Sequence, residues 1–174
     1  MEPVGKLTGG IIIAKDCELD EVVKALEAEF GPIDLRSELI PFDFTKYYEK
    51  EMGQGLRRQW ISFEKSVFQS ELGAIKHKCM KIEKEFYRTD RTRGATSRRV
   101  NIDPGYIDLS KLVLASTKDY SHRLYIGDGI HAEITLIYKD HHFRPLEWTY
   151  PDYRSNIVFF ESVREKFKKS HGLD

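Results

Sequence analysis

Residues 8–35, TGGIIIAKDCELDEVVKALEAEFGPIDL, decide how this chain is to be read. Ile11, Ile12 and Ile13 are consecutive, which suits a central strand from Thr8 to Ala14 covered on both faces. Asp16 is placed to cap a helix. Leu19, Val22, Val23, Leu26 and Phe30 follow at spacings of 3, 1, 3 and 4, one helical face. Gly31-Pro32 stops that helix, and Ile33, Leu35 and Leu39 begin a second strand that Pro41 closes. A strand, a helix and a strand in so few residues is half of a βαβ-type sheet.

Working outward, the aromatics Phe42, Phe44, Tyr47 and Tyr48 predict a flap over the sheet edge, with Thr45 capping a helix over 46–52. Arg58 to Val67 alternates as a strand. Ser70 then opens a long helix whose buried face is Leu72, Ile75, Cys79, Ile82 and Phe86. Lys76, Lys78, Lys81 and Lys84 form its solvated side. Residues 89–99 are almost free of apolar side chains and read as a mobile loop. A strand from Arg99 ends in the turn Asp103-Pro104-Gly105, and Asp108 opens a short helix over 109–116, the preferred reading of a stretch whose apolar run Leu112–Ala115 suits a strand equally. Gly127-Asp128-Gly129 joins strands 123–126 and 131–139 into a hairpin, and Ser155 caps a final helix.

The first 104 residues therefore run strand–helix–strand–strand–helix–strand. That is the split βαβ order of a ferredoxin-like sheet, so the fold class is α+β with a mostly antiparallel sheet. One domain spans 1–174, with a core over about 7–104, extended over about 105–174 by a C-terminal hairpin and helix. A single larger mixed sheet is the competing arrangement.

Composition bounds the function. The 28 basic and 28 acidic residues cancel, which argues against a dedicated nucleic-acid or membrane-surface protein. The balance is global and not local: residues 1–50 carry 6 basic against 11 acidic groups, and residues 51–100 carry 12 against 6. Cys17 and Cys79 are too far apart for metal-binding spacing and fit a reduced compartment. The N-terminal apolar run is too short for a signal peptide, and no run approaches the ~20 residues a bilayer requires. A cytoplasmic protein is the expectation.

No phosphate loop, dinucleotide glycine fingerprint, nucleophile elbow or zinc-type cysteine pair occurs. Chemistry-bearing residues concentrate over 98–154 instead. His131 and Glu133 are two apart on a strand and so share a face, with His122 close in sequence. Such a group suits acid–base work or a divalent metal, and equally suits the polar face of an exposed hairpin. Asp103 is a further candidate catalytic carboxylate, and turn formation is its ordinary alternative. Arg99, Lys118, Arg123 and Arg144 are candidate anion ligands.

Three segments form a recognisable set: PFDFTKYYEKEMG (41–53), NIDPGYIDLSKLVLASTKDYSHRLYIGDGIHAEITLIY (101–138) and FRPLEWTYPDYR (143–154). They resemble a prokaryotic family of small single-domain proteins catalogued only as a domain of unknown function. That resemblance implies one domain of this length without an appended module, and it carries over no activity, cofactor or catalytic residue. Two readings of function stay open. In one, the 98–154 segment binds or acts on a small anionic ligand, phosphorylated ones included. In the other, the basic 88–99 loop is a non-catalytic contact for RNA or an acidic protein.

Overall fold

A computed structural model describes residues 2–90 and 95–172. Helices and a mostly antiparallel sheet make it an α+β structure. The strand β1 (Val4–Ile13) is buried along almost its whole length, as three consecutive isoleucines require. Helix α1 (Leu19–Phe30) turns Val22, Val23 and Leu26 inward. Its N-cap is Glu18, because the Asp16 carboxylate is engaged by Arg88 at 2.6 Å instead of capping.

The expected strand over 33–40 is two pieces, β2 (Ile33–Arg36) and β3 (Ile40–Pro41). Ser37 interrupts it: its hydroxyl accepts from the Trp60 N–H at 2.9 Å, and its own N–H donates to the Trp60 carbonyl. The flap helix α2 is shorter than expected, Glu49–Met52, since Thr45 Oγ1 accepts from the Tyr47 N–H and forms a turn before it. Strand β4 (Arg57–Phe68) and helix α3 (Leu72–Glu85) follow. The stretch expected to be a mobile loop forms two arms of a ribbon, β5 (Arg88–Asp90) and β6 (Ala95–Ser97), in which Thr89 faces Thr96. Arg91 and Arg93 lie outside the described residues.

Strand β7 (Val100–Ile107) runs straight through Asp103-Pro104-Gly105, where the sequence predicts a turn. The expected helix over 109–116 is strand β8 (Lys111–Ser116). Leu112 to Ala115 are all buried, which a strand between two others achieves and a two-turn surface helix does not. Asp108 forms the β7–β8 turn, its Oδ1 accepting from the N–H groups of Ser110 and Lys111.

The expected hairpin is present as β9 (Leu124–Gly127) and β10 (Ile130–Lys139), with positive φ at Gly127, Asp128 and Gly129. The tail expected as loop holds two more elements. Strand β11 (His142–Pro145) pairs with β10, and helix α4 (Pro151–Ser155) precedes the final helix α5 (Ile157–Ser170).

The main sheet has the order β11-β10-β8-β7-β1-β4-β2. Within it β1-α1-β2 and β4-α3-β7 interleave, so each antiparallel neighbour of β1 comes from the other unit. Helices α1 and α3 pack with Ile11, Ile13, Ile61 and Phe63. Helix α5 packs Phe160 and Val163 with Trp60, Ile107, Leu112 and Leu136. No helix among the described residues is long and apolar enough to cross a membrane.

Register places the residues of the second face. Gly10 stands opposite both Trp60 and Asp103, and Ile12 opposite both Arg58 and Asn101. Directly paired residues share a face. Leu112 and Leu114 continue that face onto β8, and Glu133 and His131 onto β10. The alternation on β10 then slips at a bulge, where Ile134 pairs with Val113 but Leu136 with Leu112. Thr135 is the extra residue, and Thr149 Oγ1 donates to its carbonyl at 2.5 Å. The bulge returns Leu136 to the face of Glu133, where simple alternation would have put Thr135.

Candidate functional site

The sheet splits where β7 and β8 part. Their pairing covers only Gly105–Ile107 against Leu112–Leu114, and β8 continues beyond it with β10 alone. Pro104 accounts for the position: the next rung would fall at residue 104, which has no N–H to give. Beyond it Ile102 would expose an unpaired backbone edge. Helix α3 supplies the missing partner with two side chains. Glu83 Oε1 accepts from the Ile102 N–H at 2.6 Å, and Lys76 Nζ donates to the Ile102 carbonyl at 2.6 Å. Those two residues are seven apart, about two helical turns, and so leave α3 on one side. Lys76 is buried for this reason, although the sequence places it on the solvated lysine face.

Over the split lies a cavity of about 460 Å³. Its floor is Arg58, Asn101 and Asp103, its walls are β8 and Glu133, and its roof is the aromatic flap, Lys118, Tyr120 and Arg123, and helix α4. Arg58 is 2 % exposed and makes one ion pair to each side. Its Nη1 lies 3.3 Å from Asp103 Oδ2, and its Nε lies 3.1 Å from Asp152 Oδ2. The guanidinium crosses β1 at Gly10, where a Cβ would come within 2.8 Å of it. Glycine is required there for close approach, not for its turn conformation.

Asp103 Oδ2 also accepts from Asn101 Nδ2 at 2.9 Å, and Asn101 Oδ1 accepts in turn from Arg98 Nη1 at 2.9 Å. Asp103 Oδ1 stands 3.8 Å from Lys76 Nζ. Burial alone would raise the Asp103 carboxyl, but Lys76 and Arg58 hold it below the usual carboxylate range. Burial prevails at Asp152 and at Glu83, both of which are raised. One guanidinium thus joins a carboxyl held low to a carboxyl raised by burial.

The opposite wall is built on Glu133, which is 2 % exposed. Its Oε2 accepts from Arg123 Nε at 2.7 Å and faces His122 Nε2 at 3.1 Å, and Thr135 Oγ1 donates to its Oε1. Arg123 Nη1 donates to Ser116 Oγ and to the Lys118 carbonyl, at 2.8 and 3.0 Å. Lys118 Nζ sits 3.7 Å from the centre of the Tyr47 ring. The Arg98 Nε and the Tyr153 hydroxyl, both buried, have no hydrogen-bond partner among the described residues.

Of the residues named from sequence, Asp103, Glu133, Lys118 and Arg123 come together in the lining. His122 stands behind it, held between the rings of Tyr120 and Trp148. His131 is on the strand face of Glu133, but its Nε2 is directed to Asp119 at 3.6 Å, away from the Glu133 carboxylate. Arg99 is turned to the carbonyls of Phe86 and Asp16, and Arg144 lies on β11 opposite Ile137. Neither is part of the lining. For a divalent metal, no group of three or more His, Cys, Asp or Glu able to hold an ion occurs among the described residues.

Sequence reasoning missed Arg58, Lys76, Glu83, Asn101 and Asp152, and took Arg98 as part of the basic 88–99 loop. The available signal was charge inside buried elements: Arg58 lies two residues before Trp60 on one strand, and Asn101 and Asp103 alternate with Val100 and Ile102. No curated protein and no solved structure matches the chain. A family model does, over residues 3–167, and the chain therefore belongs to the family described as Domain of unknown function (DUF4416).

Proposed function

We propose that the chain binds a small anionic ligand, a phosphate ester or a carboxylate, in the cavity over the strand split. A volume of about 460 Å³ suits a small molecule, whose sites run roughly 300–1,000 Å³. The lining carries five basic groups, Arg58, Lys76, Arg98, Lys118 and Arg123, against four acidic ones, Glu83, Asp103, Glu133 and Asp152. Arg58, Lys76, Arg98 and Arg123 each have a carboxylate within 4 Å. Lys118 has none among the described residues, and that unmatched ammonium is the observation that carries the reading. An anion at Lys118 would give that ammonium the partner the other four cations already have.

Asp103, held low by Lys76 and Arg58, and Asp152, raised by burial, would set two carboxyls of unlike acidity beside a bound ligand. The other reading, a basic surface over 88–99, draws no support from the described residues. Arg88 is paired with Asp16, Arg98 with Glu51, and Arg99 with backbone carbonyls. Calorimetric titration of wild type and Lys118→Glu with inorganic phosphate, at constant ionic strength, tests the proposal. Saturable binding by wild type that the variant loses is expected. Equal heats from both would remove Lys118 from the site.

A further inference from the structure

The mouth of the cavity is lined by large exposed rings. Phe44, Tyr47, Tyr120 and Tyr150 all contribute to the lining and all remain exposed, Tyr47 at 60 % and Tyr150 at 47 %. Isolated exposed aromatics need no explanation, but four around one opening form an apolar rim that water covers poorly. The cations of the site lie against these same rings. Lys118 Nζ is 3.7 Å from the Tyr47 centroid, and the Arg123 guanidinium carbon is 4.7 Å from that of Tyr120.

Tyr150 differs from the other three. Tyr47 is packed edge-on by Tyr48 and faced by Lys118, Tyr120 is stacked with His122, and Phe44 is tilted against Phe42. No ring or cation of the described residues faces Tyr150. Its hydroxyl, at the edge of the ring, is reached by Arg123 Nη2 at 3.5 Å. Arg123 also holds the Lys118 carbonyl through Nη1, so one guanidinium fixes the ring beside the segment that carries the unmatched ammonium.

We infer that the ligand is a compact aromatic anion, its flat ring stacked on the open face of Tyr150 and its phosphate or carboxylate at Lys118. The inference rests on the anion-binding proposal above and adds the second half of the ligand. Stacking on a tyrosine face is tolerant of ring identity, so the class is set by a flat ring and a negative charge on one small molecule. An isolated phosphate would leave the aromatic mouth unfilled.

Three probes separate the parts: inorganic phosphate, methyl phosphate and phenyl phosphate, each titrated calorimetrically at equal ionic strength. The expected result is that wild type binds phenyl phosphate at least about tenfold more tightly than methyl phosphate. Tyr150→Ala should bring the two to one affinity, and Tyr150→Phe should keep them apart. Equal affinity of wild type for methyl and phenyl phosphate overturns the aromatic half while the anion site stands. A preference for phenyl phosphate that survives in Tyr150→Ala assigns the ring elsewhere and overturns the role of Tyr150. Failure of all three probes to bind overturns both this inference and the proposal beneath it. The wild-type comparison does not depend on how any variant folds.

Discussion

One face of the sheet serves two opposite purposes within a few residues of each strand. Under α5 it presents Trp60, Ile107, Leu112 and Leu136, all essentially without solvent exposure. Under the flap the same strands present Arg58, Asn101, Asp103 and Glu133. Arg58 and Trp60 are separated by a single residue. The apolar half is covered by a 14-residue helix with its own buried row, Phe160, Val163 and Phe167. The charged half is covered by irregular chain and the five-residue α4. Burial of each large apolar side chain contributes about 1.5–3 kcal/mol, so the first half needs no further reason to exist. Buried ion pairs are weak evidence for stability, because desolvation offsets much of their attraction. The difference teaches that α5 holds the fold, while burial alone gives no reason for the charged half, for which we propose a ligand.

Truncation should show this most strongly at the two neighbours. Arg58→Ala leaves Asp103 and Asp152 without their shared cation and should destabilise by about 3–5 kcal/mol. Trp60→Ala should cost a similar ~3–5 kcal/mol by opening a cavity under α5. Denaturant unfolding measures both, and the comparison breaks at the next step. Arg58→Met with Asp152→Leu, which removes the Arg58–Asp152 pair and leaves Asp103 to Lys76 and Asn101, should recover most of the loss, whereas no partner change should rescue Trp60→Ala. If the double variant is no more stable than Arg58→Ala, the charged half is a stability element after all.

A smaller effect is expected at the split. Lys76→Met leaves the Ile102 carbonyl without its donor, which should cost about 1–3 kcal/mol. Hydrogen exchange should also accelerate at Val100–Asp103 more than in β1, and uniform acceleration across the sheet would contradict a local role.

The smallest effect is the pH dependence of Asp103. Its folded carboxyl lies below the ordinary value because Lys76 and Arg58 outweigh burial. Its contribution is therefore complete above the unfolded value near ~3.9 and is lost as pH falls through the folded one. Asp103→Asn should flatten the fall of stability below about pH 4. An unchanged acid limb would mean that Asp103 is not held ionised.

Much of the apolar core was legible in the sequence, and little of the charged half was. Leu19 to Phe30 and Leu72 to Phe86 carry a helical period that burial alone dictates, so α1 and α3 could be read directly. Residues 112–115 could not, because a short apolar run buried on both faces has no period to distinguish strand from helix. Asp103-Pro104-Gly105 has turn chemistry but stands in a strand, where the proline ends one ladder. Lys76 is one lysine in a row of four, and only the split beside it determines that it turns inward. In the candidate site, Glu133, Lys118 and Arg123 were found because they crowd a polar segment. Arg58 and Asp152 were not, since they meet Asp103 only through the strand order and the return of α4.

Amide chemical shifts recorded while inorganic phosphate is titrated at constant ionic strength test the division of the face most directly. The account predicts saturable shifts centred on Ser116–Arg123 and on the flap at Phe44–Tyr48, with Trp60, Leu136 and α5 unmoved. Shifts confined to residues 88–99, or scattered shifts that never saturate, would contradict it.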